Sequence, residues 1–159
     1  MFGRLVISLA AFAVSLSISQ AGKAALLIEI DKSAQRMTVT LNDELLYTWP
    51  VSTGTEEYDT PGGTFIPFRM EIDHHSDEWD NAPMPYSIFF TETGVAVHGT
   101  FERRSLGHAV SHGCVRLSVK NAAVLWKLVK QEKMANTSIV VTGDVFDEPP
   151  PRGRRSPLY

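Results

Sequence analysis

The chain has one cysteine in 159 residues, Cys114, so no disulfide can close within it and a disulfide-stapled scaffold is excluded. Basic charge is not in excess either. Lys and Arg number 15 against 18 Asp and Glu, a formal net charge of −3, whereas a dedicated nucleic-acid binder is normally basic overall. No segment reaches the roughly 20 consecutive apolar residues of a confident bilayer span. No internal repeat is evident. Intrinsic disorder is excluded by composition: charge is low and 43% of residues are hydrophobic, enough for a real core in a chain whose length fits one domain.

What stands at the start is an address rather than a piece of the fold. Arg4 supplies a positive charge, Leu5–Ile18 is apolar or small, and Ser19 and Ala21 offer small residues for cleavage after Ala21. Cleavage after Ala24, with Gly22 at the outer small position, is the second option. An uncleaved anchor or a buried N-terminal helix is the alternative, but length and flanks fit an export signal better. Residues 1–21 are therefore set apart from the fold, and the mature chain is expected to begin near Gly22 with no membrane span. Export changes what Cys114 means. Free thiols tend to be paired or lost in an oxidising compartment, so an unpaired one is either a buried inert residue or a working thiol.

The mature chain reads as mostly strand. Ala25–Ile30, Arg36–Leu41 and Leu45–Ser52 are expected as three successive strands; in the second, Met37, Val39 and Leu41 alternate with polar residues. Asp31–Gln35 and Asn42–Glu44 carry turn chemistry between them. Thr60-Pro61-Gly62-Gly63 is a turn signal, with an extended run resuming at Thr64–Pro67. Met70–Pro83 is polar and acidic and reads as a loop or an excursion from the sheet. Tyr86–Phe90 and Gly94–His98 are the next expected strands, and residues 99–113 a long functional loop. Ser118 is a good N-cap for a helix to about Met134, with Ala122, Leu125, Trp126 and Val129 on one face. Ser138–Thr142 closes as a strand, and residues 144–159 form a Pro/Arg-rich tail expected to be disordered.

The chemistry concentrates in Val95–Leu117. Three of the five histidines, His98, His108 and His112, lie there beside the lone cysteine. A thiol attacks carbonyls as the thiolate, and a neighbouring imidazole that takes the proton makes it usable near neutrality. Gly99 and Gly113 let the backbone pass close to a substrate, and Gly113 beside Cys114 fits a turn whose N–H groups point at an oxyanion. Residue types alone leave a buried cysteine near surface histidines as the alternative. His108 and His112 are four apart, but the segment lacks the Glu of a zinc-protease helix and Gly113 argues against a helix, so no metal is read there. The acidic stretch with His74 and His75 reads as a solvated loop beside the cleft; Trp126 reads as core, and Trp79 is left between core and substrate contact.

Ser111-His112-Gly113-Cys114-Val115-Arg116, preceded by His98-Gly99-Thr100, resembles the signature of the L,D-transpeptidase catalytic domain, also called YkuD. Val51-Ser52-Thr53-Gly54, Thr60-Pro61-Gly62, Met84-Pro85-Tyr86 and Gly94–Gly99 fall in family order, and the likeness covers about residues 25–143. It implies a mainly β (α+β) fold: a sandwich or barrel of mixed strands with one main helix after the cysteine loop. It implies Cys114 as nucleophile, His98 as base, the Gly99 carbonyl as orienter of the imidazole, and His112 as support for the thiolate or substrate. Arg116, Ser111, Tyr86 and Gly113 are implied as substrate-side residues; Arg116 is the least transferable, since some members carry Asn there. The implied reaction is acyl transfer from a peptidoglycan stem tetrapeptide to an amine, giving a 3→3 cross-link, without a cofactor, in the periplasm or cell envelope. An L,D-carboxypeptidase, an enzyme that links protein to or releases it from the wall, and a non-catalytic wall-binding module are the alternatives. The acceptor and the oligomeric state stay open at this level.

Overall fold

A computed structural model describes residues 25–146; the expected signal segment and the tail from residue 147 onward lie outside the described residues. The first sheet grows from a meander. β1 (Leu26–Asp31) and β2 (Arg36–Leu41) pair antiparallel, and β3 (Glu44–Pro50) pairs antiparallel with β2. Leu41 and Glu44 are register partners, so Asn42 and Asp43 are a two-residue turn. Both have positive φ, 49° and 69°, the twist that matches a right-handed hairpin. β9 (Thr137–Thr142) runs parallel to β1, and β4 (Gly63–Phe65) adds antiparallel to β9, giving the order β3-β2-β1-β9-β4.

The second sheet has the order β5-β6-β7-β8, from β5 (Arg69–His75), β6 (Pro83–Phe89), β7 (Ala96–Thr100) and β8 (Val115–Ser118). Its first three strands are antiparallel; β7 and β8 are parallel, with His98 opposite Arg116. Helix α1 (Val119–Glu132) leaves β8 directly, its first turn capped by the Ser118 hydroxyl, which accepts from Asn121 N at 3.2 Å. It packs on β6, β7 and β8 and touches β1. The fold is thus mainly strand, in two mixed sheets with a single α-helix among the described residues.

One apolar cluster joins the layers. Leu26, Ile28 and Ile30 of β1, Met37 and Val39 of β2 and Ile139 of β9 meet Val97, Val115 and Leu117 of the second sheet. Ala122, Leu125 and Val129 of α1 complete it, with Trp126 packed alongside. Burying each such aliphatic side chain contributes about 1.5–3 kcal/mol. Past β3 the chain crosses to the second sheet: Ser52 and Arg116 exchange backbone bonds of 3.0 and 2.8 Å, and Ser111 N donates to Thr53 O at 2.9 Å.

Three expectations are corrected. Met70–Pro83 is not an excursion: most of it is the β5–β6 hairpin, with its tip at residues 76–82. β5 is an edge strand without two clean faces of opposite polarity, so apolar alternation never arises. The next strand begins at Pro83 rather than Tyr86. Pro83 and Pro85 pair only with β5, β7 joining β6 at Ile88 and Phe89, so neither missing N–H interrupts a ladder on that side. The short strand β8 was missed inside the Cys114 signature, because four residues give a period-2 pattern too little length to show.

Candidate active site

Parallel pairing of β7 and β8 brings the two ends of the sequence signature together. His98 sits on β7; Cys114 stands one residue before β8, and Ala96 N of β7 donates to its Sγ at 3.4 Å. Cys114 and His98 both line one cleft, so sulfur and imidazole address the same space. The cleft has a volume of about 610 Å³ and is lined also by His112, Ser111 and Arg116 and by residues of the β5–β6 hairpin.

His98 is 6% exposed, and its Nδ1 lies 2.8 Å from the carbonyl oxygen of Gly99. A carbonyl only accepts, so Nδ1 carries the proton and Nε2 keeps its lone pair. Burial pushes the His98 pKa down to about 4, against the Gly99 bond, which favours the cation; Arg116 and His74 add to the lowering. Burial likewise pushes the Cys114 thiol up, opposed by the Ala96 N–H and Arg116. At neutral pH the resting groups are therefore a thiol and a neutral imidazole rather than a stored ion pair.

The neighbouring residues divide by role. Ser111 is fully buried; its hydroxyl donates to the Cys114 carbonyl and accepts from Gly113 N at 3.2 Å, so it braces the loop. Arg116 Nη1 meets Glu102 at 3.4 Å at the cleft wall. His112 lies flat on Trp79 of the hairpin tip, centroids 3.8 Å apart and planes 8° apart, with Tyr58 edge-on to both at 5.3 Å. Trp79 is thereby placed in the cleft wall. Tyr86 is not among the cleft-lining residues: it packs against the core at a positive φ of 59°. Gly99 is tight for a different reason from the one expected. A Cβ there would stand 3.0 Å from Val119 Cα and 3.2 Å from the Pro85 carbonyl, so the close approach is to α1 and β6, not to a substrate. Gly113, at φ 107°, holds the turn before Cys114. His108 is exposed, outside the cleft lining.

His74, with Nδ1 2.7 Å from Glu71, also lines the cleft, as do Met84 and Phe89. Sequence reasoning missed Met84 and Phe89 as cleft residues, since both look like ordinary strand hydrophobics. Among the described residues no three His, Cys, Asp or Glu side chains converge as a metal site.

A profile of the L,D-transpeptidase catalytic domain, YkuD, matches residues 25–144. The chain is 27% identical over 105 residues to a putative L,D-transpeptidase of Bacillus subtilis, aligning 64% of this chain with 59% of that protein. It is 36% identical over 104 residues to L,D-transpeptidase 1 of Mycobacterium tuberculosis, 57% of this chain and 41% of that one. The structure of an L,D-transpeptidase from Mycobacterium smegmatis superposes with a TM-score of 0.67 at 28% identity, covering 75% of this chain and 59% of that one. The chain thus spans about three-fifths or less of each of these relatives. Since the profile runs from the first strand to the end of the last, this protein belongs to the L,D-transpeptidase catalytic-domain family.

Proposed function

We propose that the protein is an exported L,D-transpeptidase that forms 3→3 cross-links in peptidoglycan through a thioester on Cys114. The observation that carries the proposal is one cleft lined by both a thiol and a buried, neutral imidazole whose Nδ1 is tethered to a carbonyl. In the first half-reaction Cys114 Sγ attacks the carbonyl of the third stem residue while His98 Nε2 takes the thiol proton. The oxyanion is met by the Cys114 N–H and a neighbouring N–H. The C–N bond breaks, His98 returns the proton to the departing D-Ala amine, and a thioester remains. In the second half the amine of a neighbouring stem attacks, its proton passes to His98, and Cys114 leaves and is reprotonated. The aromatic wall of Trp79 stacked on His112 keeps water from the thioester and favours the amine.

Purified disaccharide-tetrapeptide tests this directly. Mass spectrometry is expected to show cross-linked dimer, and none with Cys114→Ala. Tripeptide as the sole product would reassign the enzyme as an L,D-carboxypeptidase; no product with intact thiol would sink the reading.

A further inference from the structure

Beneath the Cys114 loop runs a buried polar chain that the reaction above leaves unused. Thr60 is fully buried. Its Oγ1 accepts from Gly54 N at 2.9 Å and lies 2.8 Å from the carbonyl oxygen of Gly113. The Gly113 oxygen only accepts, so the Thr60 hydroxyl hydrogen must point at it. Gly54 permits this closure, because a Cβ there would collide with the Tyr58 carbonyl. Thr60 is itself strapped. Lys32, 4% exposed, donates to the Thr60 carbonyl at 3.1 Å and to both Asp59 carboxylate oxygens at 2.8 and 2.6 Å.

The Gly113 carbonyl and the Cys114 N–H are two ends of one peptide group. A donor on that oxygen draws electron density through the amide and makes the N–H a stronger donor; linked bonds strengthen one another by about 10–30% each. The Cys114 N–H has no acceptor among the described residues. It is held ready, and its orientation is fixed by Thr60 from one side and by Ser111 on the Cys114 carbonyl from the other.

We propose that Thr60 is a positioning residue of the oxyanion site, with its hydroxyl aligning and polarising the Gly113–Cys114 peptide and Lys32–Asp59 holding it in place. The proposal rests on Cys114 being acylated, as in the reading above. It requires a selective defect. Acylation of Cys114 by a carbapenem, which the family resemblance implies, builds an oxyanion; alkylation by iodoacetamide displaces iodide and builds none. In Thr60→Val the acylation rate is expected to fall about 10- to 100-fold, below the full loss of an oxyanion donor. The alkylation rate and its pH profile should stay within about twofold, because the thiol and His98 are untouched. Thr60→Ser, which keeps the hydroxyl, should restore acylation. Loss of both rates together, or of neither, overturns the proposal. Should Thr60→Val not fold, Lys32→Met takes its place: the same selective loss is expected, and an unchanged ratio of rates overturns the proposal. A wild-type chain that is acylated yet makes neither dimer nor tripeptide refutes the proposed function while the ratio still decides the role of Thr60. A wild-type chain that alkylates but accepts no acyl group overturns both.

Discussion

The surroundings of His98 keep its ring neutral, which leaves Nε2 free for the role proposed above. Its ordinary pKa of 6.5 is lowered to about 4, chiefly by burial, while the Gly99 carbonyl fixes which nitrogen is free. The pH profile of kcat/KM should therefore keep its acid limb near pH 4 instead of 6.5, with the plateau extending up toward the raised Cys114 pKa. An acid limb near 6.5 would mean that the imidazole is open to water. His98→Gln is expected to lower kcat/KM by roughly 10²–10⁴-fold, the usual loss on removing a general base. At this scale the sequence was informative: the clustering of His98, His112 and Cys114, and the motif they form, pointed to residues that the fold gathers at one cleft. It did not separate the substrate-side residues. Tyr86 sits in a matching motif, yet its bulk was needed in the core, and nothing in a residue type says which way a side chain turns.

At the scale of elements, the β5–β6 hairpin forms one wall of the cleft, and its tip stacks on His112. Trp79 on His112 is a stacked contact worth about 0.5–1.5 kcal/mol, and the tip is otherwise closed by Ala82 N to Trp79 O at 2.8 Å and Ser76 N to Ala82 O at 2.9 Å. Trp79→Ala should raise amide hydrogen exchange at Ser76 and Ala82 by about fivefold, in proportion to about 1 kcal/mol, and leave α1 unchanged. Gly99 joins elements more tightly. Gly99→Ala pushes a methyl against Val119 and Pro85, an overpacking of about 1–3 kcal/mol. Because the same residue's carbonyl orients His98, kcat should fall together with Tm; a lower Tm with normal kcat would detach the two roles. The helix and the first meander were legible because a capping serine, a 3.6-residue stripe and a two-residue turn are local signals. The hairpin was not, since an edge strand beside a cleft answers to water on one side and substrate on the other.

For the molecule as a whole, a buried neutral histidine ties stability to acidity. Between pH 6.5 and about 4 the unfolded chain binds a proton at this position and the folded chain does not, so stability rises with pH and is fully present above 6.5. Acidification through that window should remove up to about 3 kcal/mol on account of His98 alone. Urea unfolding of the wild type and of His98→Gln, compared at pH 4 and pH 7, reads the difference; equal slopes in the two proteins would contradict the burial of the ring.

The amino-acid order by itself determined the outline: a strand-rich domain with one helix, and the histidine and cysteine that line one cleft. Those are set by composition, periodicity and short motifs, which act over a few residues. Only the folded chain decided that Thr60 supports the Cys114 peptide from a loop 53 residues upstream, that Lys32 secures Thr60, and that Trp79 covers His112. Such contacts arise from the crossing of the chain to the second sheet after β3 and the parallel pairing of β7 with β8, long-range pairings whose partners leave no local trace in the sequence.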